Sequence, residues 1–163
     1  TTHLARTTLE FCTFEFFDEC AKTMMKQQAK ANEWIKKLNE KYGAGTIRVI
    51  GPNTYSMFSA IALSDKLYEQ AGVTDNWQLE DLFLSAGGLD TVSFSFFGCN
   101  AMALRINTLC PNNEGHKTEE NLDELFVRVD GVINFLTNGG TYEQAVKRIG
   151  VDSTVAISNL PKQ

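Results

Sequence analysis

The sequence predicts an α+β fold, with helices packed on one side of a mainly antiparallel sheet. Three observations carry this. Apolar residues recur at helical spacing in several blocks, among them Cys20, Met24, Trp34, Ile35, Leu38 and Tyr42. Other blocks alternate residue by residue, as Val92, Phe94 and Phe96 do against Ser93 and Ser95. Glycine stops and two capping boxes divide these blocks, while no repeat, low-complexity stretch or linker does, so a single domain spanning residues 1–163 is expected.

The elements follow in order. Residues 7–17 alternate and are rich in β-branched and aromatic side chains, which predicts a strand. A helix over residues 19–42 comes next, with Asp18 to cap it and Gly43 to end it. GTIRVI, from Gly45 to Ile50, reads as a short strand closed by Gly51-Pro52. Asn53 or Thr54 then starts a second helix that turns Tyr55, Phe58, Ile61, Ala62, Tyr68 and Ala71 inward and stops at Gly72.

Asp75-x-x-Gln78 is a capping box, and it opens a third helix with a stripe of Leu79, Leu82, Phe83 and Ala86 that ends at Gly87-Gly88. Residues 91–97 (TVSFSFF) alternate as a strand in a sheet with one covered and one more polar face. In 101–110, Met102, Leu104 and Ile106 alternate as a hairpin partner, although Ala, Met, Leu and Arg also favour helix. Thr118 opens a helix whose stripe is Leu122, Leu125, Phe126, Val129, Ile133 and Leu136, with Gly139-Gly140 after it. Thr141-x-x-Gln144 is a second capping box before a short helix ending at Gly150. Residues 153–157 form a last strand or helix. The predicted order is β-α-β-α-α-β-β-α-α-(β or α).

Composition narrows the function. The 43% hydrophobic and 21% charged shares are those of a globular chain, and 11 Phe, 4 Tyr and 2 Trp supply more apolar area than disordered chains carry. The net charge of −5 works against broad binding to nucleic acid or anionic membranes, which recruit clustered Lys and Arg. No run approaches 18 apolar residues, so no membrane span is expected. Cys12, Cys20, Cys99 and Cys110 have no C-x-x-C or zinc-like spacing, no Asn-x-Ser/Thr sequon occurs and no signal peptide is visible. Buried free thiols in a reducing compartment are expected, and cytoplasmic or virion localisation with them.

Catalytic patterns are scarce. Neither the P-loop nor the G-x-G-x-x-G fingerprint is present, and Gly43-Ala44-Gly45 follows a helix rather than a strand. With only His3 and His116, a Cys/His metal site has few candidate ligands, and no cofactor or metal is expected. The acidic pairs Glu80/Asp81, Glu119/Glu120 and Asp123/Glu124 sit in the helical blocks as dipole partners and solvated faces. One nucleophilic pair remains, Cys99 after a strand with His116 as its base, and it defines a thiol-enzyme alternative.

Tyr142 to Leu160 (YEQAVKRIGVDSTVAISNL) resembles a helix-turn-helix, with Gly150-Val151 at the turn and Ser153 opening the recognition helix. It departs from that pattern in its shortened interval from Gly150 to Val155 and in lacking Arg or Lys before Lys162. The resemblance implies a regulatory DNA binder. The size, acidity and Arg128-Val129-Asp130 are faintly similar to rod-shaped plant virus coat proteins, but the Phe-rich strand departs from them and no residue roles carry over. The leading expectation is a non-enzymatic structural or interaction protein, a subunit of a larger assembly such as a virion or phage, partnered by itself or by other protein subunits.

Overall fold

A computed structural model describes residues 14–50, 56–109 and 118–148. Helix α1 (Phe14–Tyr42) leads to strands β1 (Ile47–Val49) and β2 (Phe58–Leu63). Helices α2 (Asp65–Ala71) and α3 (Asn76–Gly87) follow. Strand β3 (Val92–Ser93) runs into a 3-10 turn (Phe94–Phe97), and β4 (Leu104–Asn107) precedes α4 (Thr118–Thr137) and α5 (Tyr142–Arg148). The four strands form one antiparallel sheet in the order β1-β2-β4-β3, and the fold is α+β.

Register determines which side chains share a face. Ile47 lies opposite Leu63, Val49 opposite Ile61 and Ile61 opposite Leu104. With Ser59 and Ile106 they point into the helical layer, where Ile47, Ile61, Leu63, Leu104 and Ile106 join the core. Phe58, Ala60 and Arg105 point the other way.

α1 crosses the covered face and is pinned there by Gln28, which is 1% exposed. Its Nε2 donates to the Ser56 carbonyl at 2.6 Å, the Phe58 carbonyl at 3.3 Å and Thr108 Oγ1 at 3.0 Å. Its Oε1 accepts from Ser59 Oγ at 2.9 Å. One amide thus ties the helix to the start of β2 and the end of β4.

Asn39 closes the outer edge of the sheet. Its Nδ2 donates to the Ile47 carbonyl at 2.8 Å, and its Oδ1 accepts from the Ile47 N–H at 3.1 Å. A side chain thereby occupies backbone groups that an edge strand otherwise leaves open to pairing with another chain.

α1 and α4 are held side by side. Lys30 Nζ and Trp34 Nε1 donate to the two oxygens of Asp123 at 2.7 and 2.8 Å, and Lys41 pairs with Asp130 at 2.7 Å. Burial raises the Asp123 carboxyl, but the Lys30 and Trp34 hydrogen bonds outweigh it and leave the group below the ordinary carboxylate range. The Trp34 ring stacks on Phe126 at 5.9 Å.

The α3–α4 crossing depends on Gly87. A Cβ there would lie 2.7 Å from Val132 Cγ2 and 3.4 Å from the Arg128 carbonyl. Gly87→Ala is therefore expected to cost about 1–3 kcal/mol, because overpacking outweighs the gain of about 1 kcal/mol in helix propensity. A shift in the urea midpoint at unchanged slope checks it, and an unchanged or raised midpoint contradicts it.

Tyr68 Oη accepts from the Leu63 N–H at 2.8 Å and donates to the Met102 carbonyl at 3.3 Å. Burial pushes its hydroxyl up to about 12. An unfolded tyrosine ionises near pH 10, so Tyr68 favours folding fully below that pH and loses this contribution as pH rises to about 12. In thermal unfolding between pH 8 and 12, Tyr68→Phe should lower stability at neutral pH and flatten the alkaline fall. An alkaline limb identical to that of the parent chain would contradict this.

The structure corrects several sequence expectations. Residues 14–17 are helical rather than a strand, and residues 7–13 lie outside the described residues. Phe14, Phe17, Cys20 and Met24 also fit the helical period, and extending an existing helix adds one backbone bond per residue. Phe58, Ile61 and Ala62, placed in a helix by periodicity, belong to β2. FSAIAL fits either period over so short a span, and pairing with β1 and β4 decides it.

The strand predicted over 91–97 ends at Ser93, and FSFF forms the 3-10 turn. Gly98, at φ 70°, ends that turn in the left-handed conformation. Ser93, assigned to a polar face, is 0% exposed on the core side. The hairpin of 101–110 with the preceding strand is present, with Val92 opposite Arg105. The Thr141 capping box forms in full, and the Asp75 box in its first half only. Asp75 Oδ1 accepts from the Gln78 N–H at 2.9 Å, while Gln78 Oε1 turns to the Thr74 N–H at 2.8 Å. Thr141 and Gln144 satisfy each other's backbone N–H groups at 3.2 and 3.1 Å. Gly51-Pro52, the Asn53 or Thr54 cap and the last element of 153–157 lie outside the described residues.

Candidate functional site

The sheet face turned away from the helices carries an aromatic and cationic surface. Alternation in β4 puts Leu104 and Ile106 in the core and so points Arg105 outward. Its guanidinium carbon lies 4.2 Å from the centre of the Phe58 ring and 4.6 Å from that of Phe97. Among the described residues it has no carboxylate or hydrogen-bond acceptor at bonding distance. Contact with two rings orients the planar cation, and its N–H donors remain available to an oxyanion.

A groove of about 320 Å³ opens beside Arg105, lined also by Ile50, Ser56, Phe58, Phe94, Phe97 and Cys99. Among the described residues, Arg105 is the single charged residue in its wall. The volume lies at the small end of ligand pockets, which run from roughly 300 to 1,000 Å³.

The aromatic surface continues past the groove. Phe96 is 62% exposed and meets Trp77 of α3, itself 53% exposed, edge to face at 5.3 Å. Phe94 and Phe97 also meet edge to face, at 6.4 Å. Exposed aromatic rings grouped in this way mark interaction surfaces, since each carries a large apolar area that water solvates poorly.

This surface is braced from behind. The Ser93 N–H donates to a Glu80 carboxylate oxygen, and the Phe94 N–H donates to the Ala103 carbonyl at 3.0 Å. Asn76 reaches from α3 to the loop before β4, donating to the Ala101 carbonyl at 3.1 Å and accepting from the Ala103 N–H at 3.2 Å. Gly98 and Cys99 close the turn through bonds from their N–H groups to the Ser95 and Phe94 carbonyls at 3.0 and 3.1 Å. A surface fixed before binding loses less conformational entropy when a partner docks.

Of the sequence-predicted candidates, Cys20 is half-buried, and Cys99, expected as a buried thiol, is an exposed free one at the groove rim, where the turn ending at Gly98 leaves it on the surface. His116, its expected base, lies outside the described residues, as does the recognition-helix half of the helix-turn-helix resemblance. Its first half, Tyr142–Arg148, is helical. Among the described residues no group of three or more His, Cys, Asp or Glu side chains is placed to hold a metal, and no helix is long and apolar enough to cross a membrane. Sequence reading missed Arg105, Phe58 and Phe97 as a set. The available signal was a lone arginine in the polar phase of an otherwise apolar alternation.

Comparison with known proteins gave no match to a family model, to a curated protein or to a solved structure.

Proposed function

We propose that this protein is a non-enzymatic interaction protein, a subunit of a larger protein assembly, and that it binds its neighbours through the open sheet face. The observation that carries this reading is Arg105, a cation with no ion-pair partner among the described residues, held against two phenylalanine rings on the side of the sheet away from the helices. Arginine and aromatic side chains dominate the energetics of protein interfaces, and a braced cluster of both suits docking of another protein. The exposed Phe96–Trp77 pair extends that surface and supports the same reading. The helical layer on the other face already has its own core.

Light scattering behind size exclusion, across protein concentration and with the 260/280 nm absorbance ratio recorded, tests the proposal. It predicts species heavier than the 18.2 kDa chain that grow with concentration. A raised ratio would add a nucleic-acid cargo. A monomer at every concentration, with no bound partner, would contradict it.

A further inference from the structure

We infer that the partner seated in the Arg105 groove is a second copy of this chain, which inserts the acidic, phenylalanine-rich first turns of its α1. This rests on the proposed assembly role and specifies its contact. Burial along α1 begins at Gln27, so residues 14–26 form a helical arm of roughly 20 Å with no buried side chain. Its start reads Phe14-Glu15-Phe16-Phe17-Asp18-Glu19, three rings interleaved with three carboxylates and no base. Phe14 is 92% exposed and Phe17 is 54% exposed. Among the described residues, Asp18 pairs across the helix surface with Lys22, at 2.5 Å, in a contact open to solvent on both sides. Such exposed pairs contribute little and exchange readily for a better partner.

The groove has the complementary character. It is walled by phenylalanines, and among the described residues its one charge is the cation of Arg105. Rings from the arm fill the apolar wall, while Asp18 or Glu19 meets the in-plane donors of the guanidinium. The arm does not serve its own groove. Gln28 fastens α1 to the covered side of the sheet, at the Ser56 and Phe58 carbonyls, and the helix runs unbroken through that point. The groove opens on the opposite side.

Arm and groove are different surfaces, so the contact closes reciprocally as a two-fold dimer or propagates head to tail into rows or rings.

Complementary blocking tests this. Arg105→Glu keeps the arm and spoils the groove, whereas Phe14→Ser/Phe17→Ser spoils the arm, leaves its carboxylates in place and keeps the groove. Each chain alone should associate at least ten-fold more weakly than the parent. Their equimolar mixture should form a one-to-one complex of twice the chain mass and grow no further, because one intact contact remains. Circular dichroism confirms that each chain is folded, and Phe97→Ser replaces Arg105→Glu if that chain is not. If the parent assembles and the variants assemble equally well, the inference falls while the assembly role stands. If the parent is monomeric throughout, both fall.

Discussion

Replacing Gln28 with leucine should lower the unfolding free energy by about 3 kcal/mol, with the loss falling on polar groups rather than on packing volume. Leucine fills most of the space, so little cavity forms. What disappears is the amide that serves Ser59 Oγ, Thr108 Oγ1 and two backbone carbonyls. Ser59 and Thr108 are both 0% exposed, so water does not replace the lost partner at either. Each buried group left unpaired costs about 1–3 kcal/mol. Ser59 has a further interaction and Thr108 keeps its own bond to the Met57 carbonyl at 3.1 Å, so the loss falls mainly on the Ser56 and Phe58 carbonyls. Urea unfolding of parent and variant gives the difference directly. A loss below about 1 kcal/mol would mean that this network contributes little beyond what water supplies.

Phe126→Ala should cost about 3–5 kcal/mol, the range for removing a large aromatic side chain from a packed core. Phe126 is 0% exposed and lies under the Trp34 ring, with 5° between the two planes. Its removal leaves a cavity at the α1–α4 contact and frees one face of the indole. The Trp34 hydrogen bond to Asp123 would then hold a ring with nothing behind it. Tryptophan emission should shift as the indole environment loosens, and the denaturation midpoint should fall. An unchanged midpoint would show that the neighbouring side chains collapse into the space.

Helices with long stripes and clear stops were legible in the sequence. α4 carries six apolar residues in register, α5 begins at a complete capping box, and α3 begins at Asp75, whose side chain caps the helix as expected. The β1 segment and the β3–β4 hairpin were legible too, because turn residues bound them. What could not be read was decided by long-range pairing. FSAIAL fits a helix or a strand, and only the flanking strands select the strand. FSFF looks like a strand until Gly98 closes a turn over it. These two misreadings hid the candidate surface, since Phe58 comes from the first segment and Phe97 from the second. Arg105 was in view, but its meaning depends on the rings that the fold brings to it.

The central claim, that the open sheet face is where neighbours bind, is tested most directly by using Cys99 as a reporter at the groove rim. The rate at which Cys99 reacts with a thiol reagent, followed by peptide mass spectrometry, would be compared at dilute and assembling concentrations. Docking on this face predicts that Cys99 reacts several-fold more slowly in the assembled state. It also predicts that Arg105→Glu restores the fast rate at the same concentration. Equal rates in the dilute and assembled protein would place the contact elsewhere and contradict the account.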